Sequence, residues 1–123
     1  MAIATTAETK NIGSPDEVRP FAAKGKAEVV NLAGREVIRG TFEPGWKWSE
    51  HVKPIAQTDS CQAAHFGFCQ SGHMKVRMDD GSEIDVRGGD FLAIPPGHDA
   101  WIEGDEACVM IDFGEIGSYA KQG

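Results

Sequence analysis

Three histidines, His51, His65 and His98, are the residues whose type and placing best suit chemistry in this 123-residue chain. His51 follows Gly45 by six residues, His65 precedes Gly72 by seven, and His98 closes the turn Pro95-Pro96-Gly97. Imidazole is the commonest protein metal ligand. Three of them, delivered from separate strands of a small β-barrel, would hold a metal and leave room for a substrate. Cys61 is the strongest fourth donor and Glu50 a weaker one. Imidazoles joined by one thiolate or carboxylate suit a divalent transition metal: Zn, or Fe, Ni or Cu where a position stays open. Glu50, beside His51, would serve as a general base if burial raised its pKa, and Cys61 would handle protons near the metal. A nucleophilic pair of Cys61 or Cys69 with His65 is weaker, because nothing in the sequence marks an oxyanion hole.

The elements that must position these residues read as short strands. Residues 1–24 form an irregular N-terminal arm, in which Ser14-Pro15 opens a short helical turn. Residues 25–123 form a single β-barrel domain. Its strands are expected at residues 28–32, 35–42, 46–52, 63–70, 73–78, 82–87, 91–94, 99–103 and 107–113. Asp79-Asp80-Gly81 is the tight turn of a hairpin, because its glycine supplies a positive φ. Strand parity sets His65, Gly67 and Cys69 on one face, with Phe66 and Phe68 opposite. It likewise groups His98 with Ala100 and Ile102, and His51 with Lys47 and Ser49. No run carries helical periodicity over 11 residues, so the pattern is that of an all-β sandwich or barrel.

Composition narrows the partners. Nineteen acidic against twelve basic side chains give a net charge of -7. That balance argues against nucleic acid and against an anionic membrane surface, and leaves a small-molecule ligand or substrate. The longest apolar run, Ala107 to Ile111, is too short to cross a bilayer. The first residues carry neither a basic nor an apolar targeting segment. Three cysteines without a CxxC spacing do not build a disulfide framework, so a reducing cytoplasm is the expected location. Cys69 and Cys108 read as small buried hydrophobes, and His73 as a solvated surface residue. Trp46, Trp48, Trp101, Phe66 and Phe68 read as core or interface before pocket.

Gly45-x5-His51, His65-x6-Gly72 and Gly89-x5-Pro95-x-Gly97-His98 resemble the two motifs of the cupin superfamily. The resemblance covers roughly residues 40–113, and Gly88 to His98 is its specific part. It implies a double-stranded β-helix (jelly-roll) barrel with a metal inside. Cupins present His-x-His and then Glu from the first motif, and one His from the second. In this chain Lys53 stands at the second His, His65 at the Glu, and Ala100 at the last His, with His98 two residues earlier on the same face. A second alignment sets Asp59 and Cys61 at the His-x-His positions. The resemblance implies a small metalloenzyme of dioxygenase, isomerase or lyase type, with a non-catalytic binding or sensing cupin and a metal-free structural cupin as alternatives. It also implies pairing of barrels, so a homodimer is expected.

Overall fold

The computed structural model describes residues 6–114, 117 and 119–121. The first five residues of the expected arm lie outside the described residues. Among the described residues, nine strands form two antiparallel sheets: β1 (Glu17–Pro20), β2 (Gly25–Leu32), β3 (Arg35–Phe42), β4 (His65–Ser71), β5 (His73–Met78), β6 (Glu83–Arg87), β7 (Phe91–Ile94), β8 (His98–Ile102) and β9 (Cys108–Asp112). The larger sheet runs β1-β2-β3-β9-β4-β7 and the smaller β6-β5-β8. No described helix is long and apolar enough to cross a membrane.

The alternation of side chains decides which face is dry. Along β4, Gly67 and Cys69 are buried while Phe66 is exposed; along β8, His98, Ala100 and Ile102 are all buried. The core lies between the sheets, with Val29, Ile38, Cys69 and Met110 from the larger and Met74, Val76 and Ala100 from the smaller. Each inward side chain removes apolar area worth about 25 cal/mol per Å2. Phe66, expected in the core or an interface, is 66% exposed on the outer face.

Two segments differ from the sequence expectation. Residues 46–52 form no strand. Trp48–His51 is a single helical turn, α1, followed by a second, α2 (Lys53–Ala56). Trp48 and Val52 stand four apart and are both buried while Glu50 between them is exposed, which suits a helical turn and breaks the alternation a strand would need. The Asp99 carboxylate accepts the Ser49 N–H at 3.1 Å, satisfying one free donor at the start of the turn. The other difference lies within the expected arm. Glu17–Pro20 pairs with β2, and its Arg19 is buried, donating to the carbonyls of Gly117 and Tyr119 and to Glu17 and Glu36. Burial of a guanidinium is tolerated because most of its donors are met.

The bend at Ser14 is a turn without a helix. The Asp79-Asp80-Gly81 hairpin turn is present, with Gly81 at φ 91° and Met78 N–H bonded to the Ser82 carbonyl at 2.8 Å. His73 is a partly exposed residue paired with Asp85 at 2.7 Å. Cys69 and Cys108 are fully buried, their sulfurs 3.8 Å apart.

Gly67 is required by the approach of β9. A Cβ there would collide with the Ile111 carbonyl oxygen, which belongs to the backbone of the neighbouring strand. We expect Gly67→Ala to lower stability by about 1–3 kcal/mol, the usual cost of overpacking. A urea midpoint equal to that of the parent protein would contradict this close approach.

Candidate metal centre

Backbone bonding brings Cys61 to His98. The loop before β4 bridges the start of β8: Cys61 N–H donates to the His98 carbonyl at 2.7 Å, and Gly97 N–H to the Cys61 carbonyl at 2.7 Å. Gly97 adopts φ 94°, which turns the chain after the prolines and into β8. Ser60 anchors the same loop by donating to Asp79 at 2.9 Å. His65 begins β4, opposite Ile94 of β7.

The side chains converge from these positions. One ligand atom each from Cys61, His65 and His98 lies within 4.8 Å of the others, so the three form a candidate metal-binding triad. Cys61 Sγ is 3.7 Å from His65 Nε2. The His98 Nδ1–H donates to the Pro95 carbonyl at 2.9 Å, which leaves Nε2 as its ligand atom. The two imidazoles meet edge to face at 5.2 Å between centroids.

Asp112, at the end of β9, fixes His65. Its Oδ1 accepts the backbone N–H groups of Phe66 at 3.2 Å and Gly114 at 2.8 Å, and its Oδ2 accepts from His65 Nδ1 at 2.5 Å. A carboxylate on the far nitrogen is the usual support of a metal-ligating histidine. Tyr119 stands edge-on to the same ring at 5.4 Å. Neither Asp112 nor Tyr119 was singled out from the sequence. Asp112 was signalled, however, because a carboxylate on the buried parity of Cys108 and Met110 must have a partner inside.

Electrostatics follow from this geometry. Burial pushes the Cys61 thiol up, but the hydrogen bonds and charges of His65 and His98 outweigh it and bring it down to about 6. Burial pushes His65 down, and Asp112 and Cys61 outweigh that, raising it to about 9. Between those values the pair is a thiolate facing an imidazolium. Burial is the largest cause at Cys69 and Cys108, and both thiols are pushed up.

Two expected residues lie apart from this cluster. His51 sits on α1, where its Nδ1 accepts the Lys47 N–H at 3.0 Å, and it is not among the converging donors. The helical turn in place of a strand re-aims its ring. Glu50, on the same turn, is exposed and does not line the cavity, so the burial its role as a base required is missing. Lys53 belongs to α2, while Ala100 is buried and lines the cavity.

The triad opens into a mostly apolar cavity walled by Ile38, Trp46, Trp48, Met74, Leu92 and Met110. The cavity volume is about 40 Å3.

No family model matches the chain, and no curated protein does. Solved structures do. A sugar phosphate isomerase from a cupin superfamily, from Silicibacter pomeroyi, superposes with a TM-score of 0.59 at 19% identity, covering 85% of this chain and 73% of its own. A Klebsiella pneumoniae protein with a double-stranded β-helix domain gives 0.58 at 18% identity over 93% of this chain and 94% of its own. A Cupin 2 conserved barrel domain protein from Salinispora arenicola gives 0.53 at 15% identity over 89% and 87%.

In metal-free protein, the thiolate absorbance of one cysteine should persist at neutral pH and vanish as the pH falls through about 6. The signal should be lost in Cys61→Ser and kept in Cys69→Ser. Absence of any thiolate until alkaline pH would contradict the described ion pair. With its two antiparallel sheets and these structural likenesses, the chain has the double-stranded β-helix fold of the cupin type.

Proposed function

We propose that the protein is a cupin-type metalloenzyme in which Cys61, His65 and His98 hold one divalent transition metal beside a cavity for a small organic substrate. The convergence of the three donors carries this reading. For a tetrahedral Zn site with Zn–S about 2.3 Å and Zn–N about 2.0–2.1 Å, a sulfur and a nitrogen ligand stand about 3.6 Å apart. The 3.7 Å between Cys61 Sγ and His65 Nε2 matches that separation without movement. The remaining pairs, within 4.8 Å, need at most about 1.2 Å of closure between sulfur and nitrogen and about 1.5 Å between the two nitrogens. A thiolate with two imidazoles suits Zn, Fe, Ni or Cu.

Three protein ligands leave a position open, which is the arrangement of catalytic sites and not of closed structural ones. When bound, such a metal supplies Lewis acidity or an activated water or O2. The chain's own contributions are distinct from that chemistry. Asp112 keeps a proton on His65 Nδ1 and so presents Nε2. Pro95 does the same for His98, and the apolar walls exclude bulk water. Cys61 is the side chain best placed for proton handling if it leaves the coordination sphere. Glu50 has no such place. Dioxygenase, isomerase and lyase chemistry all remain within this reading, and a sensing or storage role is distinguished from them by turnover.

Cobalt titration of chelator-treated protein should show one equivalent bound, with a thiolate-to-metal charge-transfer band. Cys61→Ala, His65→Ala and His98→Ala should each abolish the band, whereas His51→Ala should keep it. Asp112→Asn should weaken binding by about 10–100-fold, as for other supporting carboxylates. Full cobalt binding in both Cys61→Ala and His98→Ala would refute the site.

The expected homodimer has a candidate face on the outside of the larger sheet. Phe66 and Phe91 are 66% and 84% exposed there, and Phe68 packs at a tilt against Phe91, 4.9 Å between ring centroids. A second copy covering this apolar face would remove it from water. Sedimentation should give a dimer at micromolar concentration that Phe91→Glu converts to monomer; a monomeric parent protein would end this part of the proposal.

A further inference from the structure

The buried indoles of the cavity wall are chemically unfinished. Trp46 and Trp48 are each only 2% exposed, both line the cavity of the triad, and neither Nε1–H meets an acceptor from the protein. Trp101 shows the ordinary outcome, donating to Glu103 at 3.0 Å. A buried indole N–H usually finds a partner, because leaving it unpaired is costly. Arg19 Nε is the other buried donor in this condition among the described residues, and it lies outside the cavity. Two such donors among the lining residues of a mostly apolar cavity mark where hydrogen-bond acceptors belong.

The remaining lining restricts the ligand further. Among the described residues around the cavity, no lysine or arginine is present, which does not suit a phosphorylated compound. The single lining carboxylate, Asp112, is already engaged by His65 and two backbone N–H groups, so no free carboxylate is left for an organic ammonium group. The 40 Å3 cavity accommodates about three waters, at roughly 10–15 Å3 each. Met74 and Met110 in the wall are flexible enough to admit somewhat more.

We infer that Trp46 and Trp48 donate their indole N–H groups to the oxygens of a short aliphatic acyl compound, a carboxylate or neutral carbonyl, whose alkyl part fills the apolar cavity beside Cys61, His65 and His98. The inference deepens the metal-site reading, on which it rests for the identity of the site. It names the acceptor oxygens as the recognised group and the indoles as specificity-determining residues.

The test follows the three indole N–H resonances of 15N-labelled protein, assigned with Trp46→Phe and Trp48→Phe, in zinc-loaded and chelator-treated samples. Propionate, propionamide and propylammonium are the probes. Propionate or propionamide should shift the Trp46 and Trp48 signals and leave Trp101 in place, and which of the two binds more tightly decides between carboxylate and neutral carbonyl. Propylammonium should move neither signal. Each Phe variant, which keeps the ring and loses the donor, should weaken the acyl probe about tenfold while retaining cobalt uptake.

Indole signals unmoved by every acyl probe would mean that solvent alone satisfies these donors, and would overturn the inference. Unchanged probe affinity in both Phe variants would overturn it as well. Should a variant not fold, the signals of the parent protein decide. Zinc or cobalt uptake without indole shifts would sink this inference and spare the metal site. Indole shifts without metal uptake would do the reverse.

Discussion

The Asp112 carboxylate is the contact on which the site depends. It ends β9, takes two backbone N–H groups with one oxygen, and holds His65 with the other. Because β9 lies between β3 and β4, this one side chain joins the centre of the larger sheet to the ligand cluster. A buried carboxylate would be expensive without partners. With three, it fixes which imidazole nitrogen faces Cys61 and therefore which atoms are free to bind.

The second constraint is the backbone bridge between Cys61 and His98. It explains how a loop residue outside any strand enters the cluster as reliably as residues in the ladders. Cys61 is held by two 2.7 Å main-chain bonds, and Ser60 is tied to Asp79 of the neighbouring hairpin. Donors fixed from three separate segments lose little freedom when they close on an ion, which is the condition for tight binding. The same rigidity keeps the thiolate and imidazolium paired in the absence of metal.

Much of this was readable from side-chain alternation. The parity of β4 and β8 correctly set His65 and His98 inward, and the glycine turns marked the strand ends. The segment from Trp46 to Val52 was not readable in that way. Its apolar residues at 46, 48 and 52 satisfy both a two-residue and a four-residue spacing, and only the Asp99 contact, 50 residues distant, resolves the choice in favour of a helical turn. That ambiguity carried His51 and Glu50 into the expected site. Cys61 was legible as a donor type but not by position, since a backbone bridge from a loop leaves no periodic trace. Asp112 was legible through parity, and Tyr119 only through tertiary contact. The cupin-type motif between Gly88 and His98 pointed to the fold, and Lys53 and Ala100 marked two positions where the usual ligands are absent.

The central place of β9 has a consequence for how the molecule is made. Strands β1 to β3 form a meander of local contacts, and β4 pairs with β7 some 25 residues later, but the two halves of the larger sheet meet only through β9. On the ribosome these halves emerge before the strand that joins them, and non-local pairing of this kind forms slowly. A nascent chain therefore carries Cys61, His65 and His98 before it has Asp112 to orient them. Until β9 has docked, His65 lacks the carboxylate that fixes its ring, so the triad reaches its final geometry only with that pairing.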